Sequence, residues 1–302
     1  MKILLVINKT YRGVLDGTHW YLHQPLIELG HNVHLYDTVE GDPDERDFNT
    51  VVEHFKPDLV FCMLTGNPKL APYEPWEALH KETVSGRTKT FNWFCDDTWR
   101  FNTFSKVACN NFAVCSTPER GHVEKYHQIG YKNIIVANWH ANSKFFTPKT
   151  FEKRPTDLSF VGALTSARKN FFVNSNHKMT FYFKLSQEQL FDAFCSSKIG
   201  VNLSFNENDP LMATQMKQRM FEIPAGAGLM ITQYHEGIEE YYKIDKEIIT
   251  FNSPIEYNEK LNFLLQNQHV AKSIAHRGHQ RYLKEHDSKI RLTNVLEQIM
   301  KI

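Results

Sequence analysis

The stretch that decides the fold runs from Gln215 to Thr232 and reads QMKQRMFEIPAGAGLMIT. Its first half has helical spacing, with two methionines and an isoleucine on one face. Pro224 should stop this helix because proline lacks the backbone N–H, and Gly226 and Gly228 should supply turn positions with positive φ. The apolar run 229–231 suits a strand buried on both faces. The stretch therefore predicts a helix, a glycine-rich turn and a parallel strand.

Two charged residues of this stretch, Arg219 and Glu222, are three positions apart near the end of the predicted helix. Open α/β sheets build their ligand sites at such places. A carboxylate can accept hydrogen bonds from both hydroxyls of a ribose, and a guanidinium can bind a pyrophosphate in bidentate fashion. The alternative is a surface ion pair contributing only ~0.2–0.5 kcal/mol. The spacing alone leaves both interpretations open.

Length and composition indicate a globular protein with more than one domain. The chain has 302 residues, of which 41% are apolar and 23% charged, so it can bury a sizeable core. Its formal net charge is only +1. This balance excludes a polycationic nucleic-acid or membrane binder, although a local basic groove stays possible.

The cysteines and the N-terminal residues indicate a cytoplasmic location. Five cysteines, an odd number, include no C-x-x-C pair, which favours a reducing compartment and no disulfide framework. The opening run MKILLVIN is too short for a signal peptide or a membrane-spanning helix. We interpret it as the first buried strand and expect no membrane span.

Strands and helices alternate along the chain in two series. The first series has six predicted strands up to residue 136. The segment Asn138–Pro155, which is rich in aromatic and basic residues, connects it to the second series. Such alternation predicts parallel sheets with right-handed crossovers. Three closing helices, at about residues 255–266, 270–285 and 289–299, form a helical C-terminal tail. The fold class is therefore α/β with two Rossmann-like domains, residues 1–150 and 151–302.

Several motifs resemble one enzyme family. The run RMFEIPAGAGLMIT, residues 219–232, resembles the core signature of spore-maturation-protein-like (CgeB-type) glycosyltransferases. GIEEYY at 237–242, KEIITF at 246–251 and IAHRGHQR at 274–281 follow in the expected order. Upstream, Phe160-Val-Gly162 and Arg168 are also similar to that family. The resemblance covers residues 155–290.

The resemblance implies the GT-B architecture, in which two Rossmann-like domains face a cleft. Residues 1–150 would be the acceptor-side domain and residues 151–302 the nucleotide-sugar-binding domain, and the last helix could return to the first domain. It also implies a glycosyltransferase, with Glu222 as the ribose ligand of a UDP-sugar or another nucleotide-sugar donor. The wider superfamily often has a sugar-binding carboxylate eight positions earlier, where this chain has Thr214.

The resemblance leaves the acceptor open among a saccharide, a protein and a hydroxymethylated DNA base of the bacteriophage type. Retention or inversion at the sugar carbon is open as well. Because Thr214 replaces the sugar-binding acid, a different class also stays open: a catalytically silent nucleotide-sugar-binding or assembly protein.

GT-B enzymes usually balance the charge of the departing diphosphate with basic side chains and helix N-termini instead of a metal, and we expect the same here. Arg219 is the first candidate. Arg168 and Lys169 follow Gly162, the residue after the predicted first strand of the second domain. The alternative for these two is an ordinary solvated basic pair.

Glycines mark two further donor-binding candidates. The loop Asn8–Gly17 leaves the carboxyl end of the first strand, and Gly13 and Gly17 would let its backbone approach a phosphate or an acceptor. It does not match G-x-G-x-x-G. Gly226, in the turn after the predicted helix, is the second candidate.

Two adjacent acids, Asp96 and Asp97, follow a buried apolar strand and are the candidates for a general base that deprotonates the acceptor. The alternative is that Asp97 or Thr98 caps a helix beginning near Trp99. Both could hold, with Asp97 capping and Asp96 left for catalysis. No residue separates the acids, so they are not a D-x-D metal motif, and no metal or other cofactor is expected.

His19 and His23 would share one face of the helix after the glycine loop. They could bind a metal, but a packed or exposed pair is the favoured interpretation. His19, at the start of the helix, is instead a candidate for contact with the donor or the acceptor and is counted with the catalytic residues.

Overall fold

The computed structural model describes residues 1–11, 13–44, 46–207 and 212–302. The chain divides into two compact units. Unit 1 comprises Met1–Asn138 together with Arg291–Ile302, and unit 2 comprises Trp139–Ile290. Each unit is built around one parallel sheet.

Unit 1 contains a six-stranded parallel sheet and a short antiparallel hairpin. In chain order its strands are β1 (Lys2–Ile7), β2 (Thr10–Tyr11), β3 (Val14–Leu15), β4 (Asn32–Asp37), β5 (Leu59–Met63), β6 (Lys89–Trp93), β7 (Val114–Thr117) and β8 (Ile134–Val136). The sheet order is β4-β1-β5-β6-β7-β8, while β2 pairs with β3. Five of the six residues of β1 are buried, as a central strand of a parallel sheet requires.

Helices cover both faces of this sheet. They are α1 (Gln24–Glu28), α2 (Phe48–Phe55), α3 (Trp76–Ser85), α4 (Asp97–Arg100), α5 (Lys106–Ala108) and α6 (Val123–Gln128), with π-helical turns at His19–His23 and Phe101–Ser105. One core contains Val52, Leu79 and Tyr126. The other contains Leu26 together with four residues of the last helix, Leu292, Val295, Leu296 and Ile299.

Unit 2 contains a five-stranded sheet in the order β10-β9-β11-β12-β13, and every pairing in it is parallel. Its strands are β9 (Thr156–Val161), β10 (Thr180–Tyr182), β11 (Ser197–Asn202), β12 (Leu229–Gln233) and β13 (Ile249–Phe251). The remaining helices of the chain are α7 (Ser166–Val173), α8 (Gln187–Ser196), α9 (Arg219–Ala225), α10 (Pro254–Gln266), α11 (Gln268–Glu285) and α12 (Ser288–Lys301). Sheet residues pack against α10 and α11 in one hydrophobic core.

The stretch that predicted the fold forms a helix and a strand, but the helix differs from the prediction. It begins at Arg219, and Pro224 lies inside it. Pro224 has no N–H to bond the carbonyl of Met220, four residues earlier. That carbonyl instead accepts a hydrogen bond of 2.9 Å from the Tyr242 hydroxyl. The prediction that Pro224 ends the helix was wrong because another side chain satisfies the carbonyl that proline leaves unpaired.

The turn after α9 also differs from the prediction. Gly226 has a φ of −72°, and the left-handed residue is Ala227, with a φ of 54°. A Cβ on Gly226 would lie 2.7 Å from the carbonyl carbon and oxygen of Phe194 in α8. Close packing, not a positive φ, therefore requires glycine at position 226.

Most other predicted elements are confirmed. In helix α2, the Asp47 side chain is the N-cap and accepts a 3.0 Å hydrogen bond from the Thr50 N–H. The predicted α/β class with two Rossmann-like parts and a helical C-terminal region is confirmed. Within the described ranges, no helix is both long enough and apolar enough to cross a membrane.

Gly226→Ala should lower the free energy of unfolding by about 1–3 kcal/mol, because the added methyl group overlaps the backbone of Phe194. Gly121→Ala is the matched control, since no atom lies within 4 Å of its added Cβ. Urea denaturation of the two variants measures the difference. Equal midpoints for both variants would contradict the packing role of Gly226.

Candidate functional site

Arg219 connects the ends of two strands in unit 2. Its Nη1 donates to the carbonyl oxygen of Val161, the last residue of β9, at 3.3 Å. Its Nε donates to Oδ1 of Asn202, the last residue of β11, at 3.2 Å. The guanidinium therefore lies at the carboxyl edge of the sheet, where parallel α/β sheets bind ligands.

An aromatic ring and a glycine backbone pack closely around this guanidinium. Its central carbon lies 4.9 Å from the centre of the Phe160 ring, a cation–π distance. Gly162 has a φ of 139°, and a Cβ there would lie 2.8 Å from Nη1 of Arg219. Only glycine therefore leaves room for the arginine while adopting this backbone conformation.

The electrostatics of Arg219 are unusual. Burial, followed by the positive charge of Arg168, lowers its pKa to about 9, against a smaller opposing effect of Glu222. The side chain thus remains protonated near pH 7. Its Nη2 is hidden from solvent and has no hydrogen-bond partner among residues 1–11, 13–44, 46–207 and 212–302. A buried, charged donor without an acceptor is costly, and an anion would relieve that cost.

Arg168 provides a second guanidinium near the same ring. It lies 5.6 Å from the Phe160 centre, and its Nη1 donates to the carbonyl of Ala163 at 2.8 Å. Its Nε is 3.6 Å from a carboxylate oxygen of Glu207, and burial lowers its pKa. Lys169, the next residue of α7, is exposed. Two of the three predicted basic residues therefore flank one aromatic ring.

Glu222 lies in the first turn of the helix that Arg219 begins, whereas Gly226 is the C-cap residue at its other end. Glu222 is buried in the first turn of α9, so it lies close to the carboxyl edge of the sheet. Gly226 follows the last residue of the helix, about 10 Å along the axis from Arg219 at 1.5 Å per residue. It packs on Phe194, just before β11 begins, so the structure does not bring it together with Arg219.

Thr214, where the wider superfamily often has an acid, lies beside a buried histidine. Its Oγ1 is 3.0 Å from Nδ1 of His235. Its backbone forms an antiparallel bridge with Phe205, which follows β11. The side chain at this position is therefore a hydroxyl bonded to an imidazole.

The glycine loop of unit 1 forms the hairpin β2–β3. The Lys9 N–H donates to Asp37 Oδ1 at 3.1 Å, and the Thr18 hydroxyl donates to the Asn8 carbonyl at 2.6 Å. These two hydrogen bonds anchor the loop at the carboxyl end of β1. Gly13 has a φ of 78°, as expected for a turn glycine. At Gly17, an added Cβ would lie 3.6 Å from the ring of Tyr21, which is an ordinary contact distance. Residue 12 of the loop lies outside the described residues.

His19 and His23 form a packed pair, with 3.2 Å between their Nδ1 atoms. Nε2 of His19 lies 3.2 Å from Nε2 of Gln24. Burial, then the charge of Lys9, lowers the pKa of His19, and burial, then His19 and Lys9, lowers that of His23 to about 4. Across the described parts of the chain, no group of three or more His, Cys, Asp or Glu side chains could hold a metal ion.

The two adjacent acids have different environments. Asp97 is completely buried as the first residue of α4, and its Oδ2 accepts a 2.9 Å hydrogen bond from the Tyr126 hydroxyl. Burial raises its pKa. The prediction that Asp97 or Thr98 caps a helix beginning near Trp99 was wrong, because the helix starts at Asp97. Asp96 occupies the N-cap position without a side-chain cap hydrogen bond, and it is the less buried of the two acids.

Sequence reasoning missed Asn202 as part of the site. A single asparagine after an apolar run gives no signal, because its partner Arg219 is 17 residues away in sequence. A pocket of about 430 Å³ in unit 2 contains none of the predicted site residues. Its lining comprises Asp245, Ile249, Glu259, Lys260, Phe263, Leu264, Val270 and Ile274.

A protein-family match covers most of unit 2. Residues 150–297 match a family described as glycosyl transferase-like. The prediction that the chain is a glycosyltransferase is thereby confirmed at the level of enzyme class, while the narrower CgeB-type family remains a prediction. A search of curated protein sequences finds no match.

Solved structures resemble this chain over its whole length. Sucrose-phosphate synthase from Thermosynechococcus elongatus has a TM-score of 0.67 at 11% identity, with 100% of both chains covered. Anabaena HepE in complex with UDP and glucose has a TM-score of 0.66 at 10% identity, again covering 100% of both chains. An α-glucosyltransferase in complex with UDP-glucose and DNA containing an abasic site has a TM-score of 0.67 at 10% identity and 99% coverage of both chains. These likenesses confirm the GT-B fold.

Asp97→Asn should raise the free energy of unfolding at pH 7, because burial penalises the ionised carboxylate while an amide oxygen can still accept from Tyr126. The folded pKa is raised, so the contribution of Asp97 is complete below the unfolded pKa of about 3.9 and is lost as pH rises through the folded pKa. The advantage of the variant should therefore shrink as pH falls toward about 4. Urea denaturation at several pH values measures this trend, and an advantage that grows on acidification would contradict it.

Proposed function

We propose that the chain transfers a sugar from a nucleoside-diphosphate sugar to a hydroxyl acceptor, and that the donor binds at the carboxyl edge of the unit 2 sheet. The observation that carries this proposal is the Arg219 guanidinium, whose buried Nη2 lacks a partner among the described residues. The Arg168 guanidinium near the same Phe160 ring supports it. A diphosphate would supply both the negative charge and the acceptor oxygens.

The same cations would serve the reaction. Cleavage of the sugar–phosphate bond leaves negative charge on the departing diphosphate, and fixed positive groups in a poorly solvated site stabilise that charge. Because Nη2 of Arg219 has no contact with solvent, the side chains that cover it have to move for the donor to reach it. Lys169, exposed on α7, is a further candidate for the diphosphate.

Glu222 is proposed as the ligand of the donor's ribose. It is buried one helical turn from Arg219, so a nucleotide held by the arginine would have its ribose within reach of the helix. Structural neighbours with UDP and glucose or with UDP-glucose make UDP-sugars the first donors to test.

Asp96 is proposed as the general base, because Asp97 is completely buried and engaged by Tyr126. The loop glycines Gly13 and Gly17 and the side chain of His19 remain proposed contacts of the donor or the acceptor. The reaction is proposed to need no divalent metal, with the guanidinium groups stabilising the diphosphate.

The acceptor is proposed to be a hydroxyl of a saccharide, a protein or a modified DNA base. The neighbour bound to DNA containing an abasic site supports including DNA among the acceptors tested. Thr214 favours a second candidate function, a catalytically silent nucleotide-sugar-binding protein, because its side chain is a hydroxyl bonded to His235 and not a carboxylate.

Arg219→Gln should weaken UDP binding on the order of 10- to 100-fold, because it removes a charged donor from the diphosphate site. Calorimetric titration with UDP and a panel of nucleotide-sugars measures the dissociation constants. Lys284→Gln, which removes a largely exposed positive charge from the same unit, is the matched control. If the unaltered protein binds no nucleotide or nucleotide-sugar, the proposed function is wrong.

Asp96→Asn should lower the turnover number by about 10²- to 10⁴-fold while leaving donor affinity nearly unchanged, because it removes only the proton acceptor. Turnover is measured as transfer to water or to an acceptor panel that includes sugars, peptides and hydroxymethylated duplex DNA. Asp97→Asn is the neighbouring comparison and should retain turnover. Equal turnover in the Asp96 variant and the unaltered enzyme would exclude Asp96 as the base. Donor binding without any turnover would favour the silent binding protein.

A further inference from the structure

Asn202 is a completely buried amide that links Arg219 to two hydroxyl groups. Its Oδ1 accepts from Nε of Arg219 at 3.2 Å. Its Nδ2 donates to Oγ1 of Thr232 at 2.9 Å and to Oγ of Ser204 at 3.3 Å. Asn202 and Thr232 lie near the carboxyl ends of β11 and β12, and Ser204 lies just beyond β11.

The two hydroxyls determine which way the Asn202 amide points. Thr232 and Ser204 each donate their single proton to the carbonyl of Gln233, at 3.0 and 2.9 Å. Each hydroxyl can therefore only accept from the amide nitrogen of Asn202. The opposite orientation of the amide would place its NH₂ group against the Nε–H of Arg219, donor against donor. Hydrogen-bond polarity thus assigns Oδ1 to the arginine.

This network determines which donors of Arg219 are committed. Nε is bonded to Asn202 and Nη1 to the carbonyl of Val161, so Nη2 is the donor without a partner among the described residues. Asn202 also holds the Nε group of Arg219 without adding a charge of its own. An aspartate at the same place would form an ion pair with the guanidinium and reduce its attraction for an anion.

We propose that Asn202 is a positioning residue for the donor diphosphate, acting through Arg219. The amide fixes the plane of the guanidinium, and its neutrality preserves the full positive charge for the ligand. Thr232 and Ser204 maintain the orientation of the amide. This inference rests on the proposed function, since it assigns Arg219 to the diphosphate.

The central test compares Asn202→Asp with Asn202→Ala, and uses UDP and uridine as the two probes. Both variants should weaken UDP binding on the order of 10-fold or more, because one neutralises the guanidinium and the other releases it. Uridine has no phosphate, so its affinity should stay unchanged. Asn258→Asp adds the same charge to a partly exposed asparagine of unit 2 and should leave both affinities unchanged.

Thr232→Val provides a second variant with the same side-chain shape, in case a change at the fully buried Asn202 prevents folding. It removes one acceptor from the Asn202 amide and should weaken UDP binding by a smaller factor than Asn202→Ala. Thermal unfolding checks that each variant is folded. Unchanged UDP affinity in the folded Asn202→Asp and Thr232→Val variants would overturn the proposal.

A measurement without ligand separates this proposal from the proposed function. The ¹⁵N–¹H NMR signal of the Arg219 Nε group reports its hydrogen bond to Asn202. The signal should move toward that of a solvated arginine in Asn202→Ala and remain shifted in Asn202→Asp, where a carboxylate oxygen can accept. If the unaltered protein fails to bind UDP while the NMR pattern is as expected, the diphosphate assignment is wrong although Asn202 positions Arg219. If the signal is the same in all variants, the positioning role itself is overturned.

Discussion

The structure of unit 2 depends on how it accommodates one buried positive charge. A guanidinium placed against a sheet edge loses much of its hydration, and the lowered pKa of Arg219 records that loss. Phe160 supplies a polarisable ring, Gly162 supplies space, and the Val161 carbonyl accepts one hydrogen bond. The compensation is incomplete, because one buried N–H group has no partner among the described residues. That deficit is what makes the edge suited to an anion.

Much of the fold could be predicted from the sequence, because the parallel strands are continuous apolar runs and the helices have clear caps and periodicity. Helix α2 is an example, with Asp47 at its N-cap. Helix α9 shows the limit. Its proline predicts the end of a helix, and only the fold shows that the Tyr242 hydroxyl, 22 residues away, satisfies the carbonyl of Met220. Tertiary contacts of this kind leave no local pattern.

Candidate site residues could be identified where they belong to short sequence motifs, and not where their contacts depend on strand register. Arg219 and Arg168 were identified as candidates, and the structure places both near the Phe160 ring. Asn202 could not be, because its contact with Thr232 exists only through the pairing of β11 with β12. The environments of the two adjacent acids could not be predicted either, because only the fold shows that Asp97 is completely buried and bonded to Tyr126, whereas Asp96 is less buried.

The discontinuity of unit 1 has a consequence for biosynthesis. Leu292, Leu296 and Ile299 of α12 pack in one core with Leu26, although about 270 residues separate them in the chain. During translation, the sheet of unit 1 emerges long before the helix that covers one of its faces. Unit 2, which is continuous in sequence, can complete its own core earlier. The nascent N-terminal sheet therefore spends about half of synthesis with part of an apolar face exposed, a period in which chaperones would protect it from aggregation.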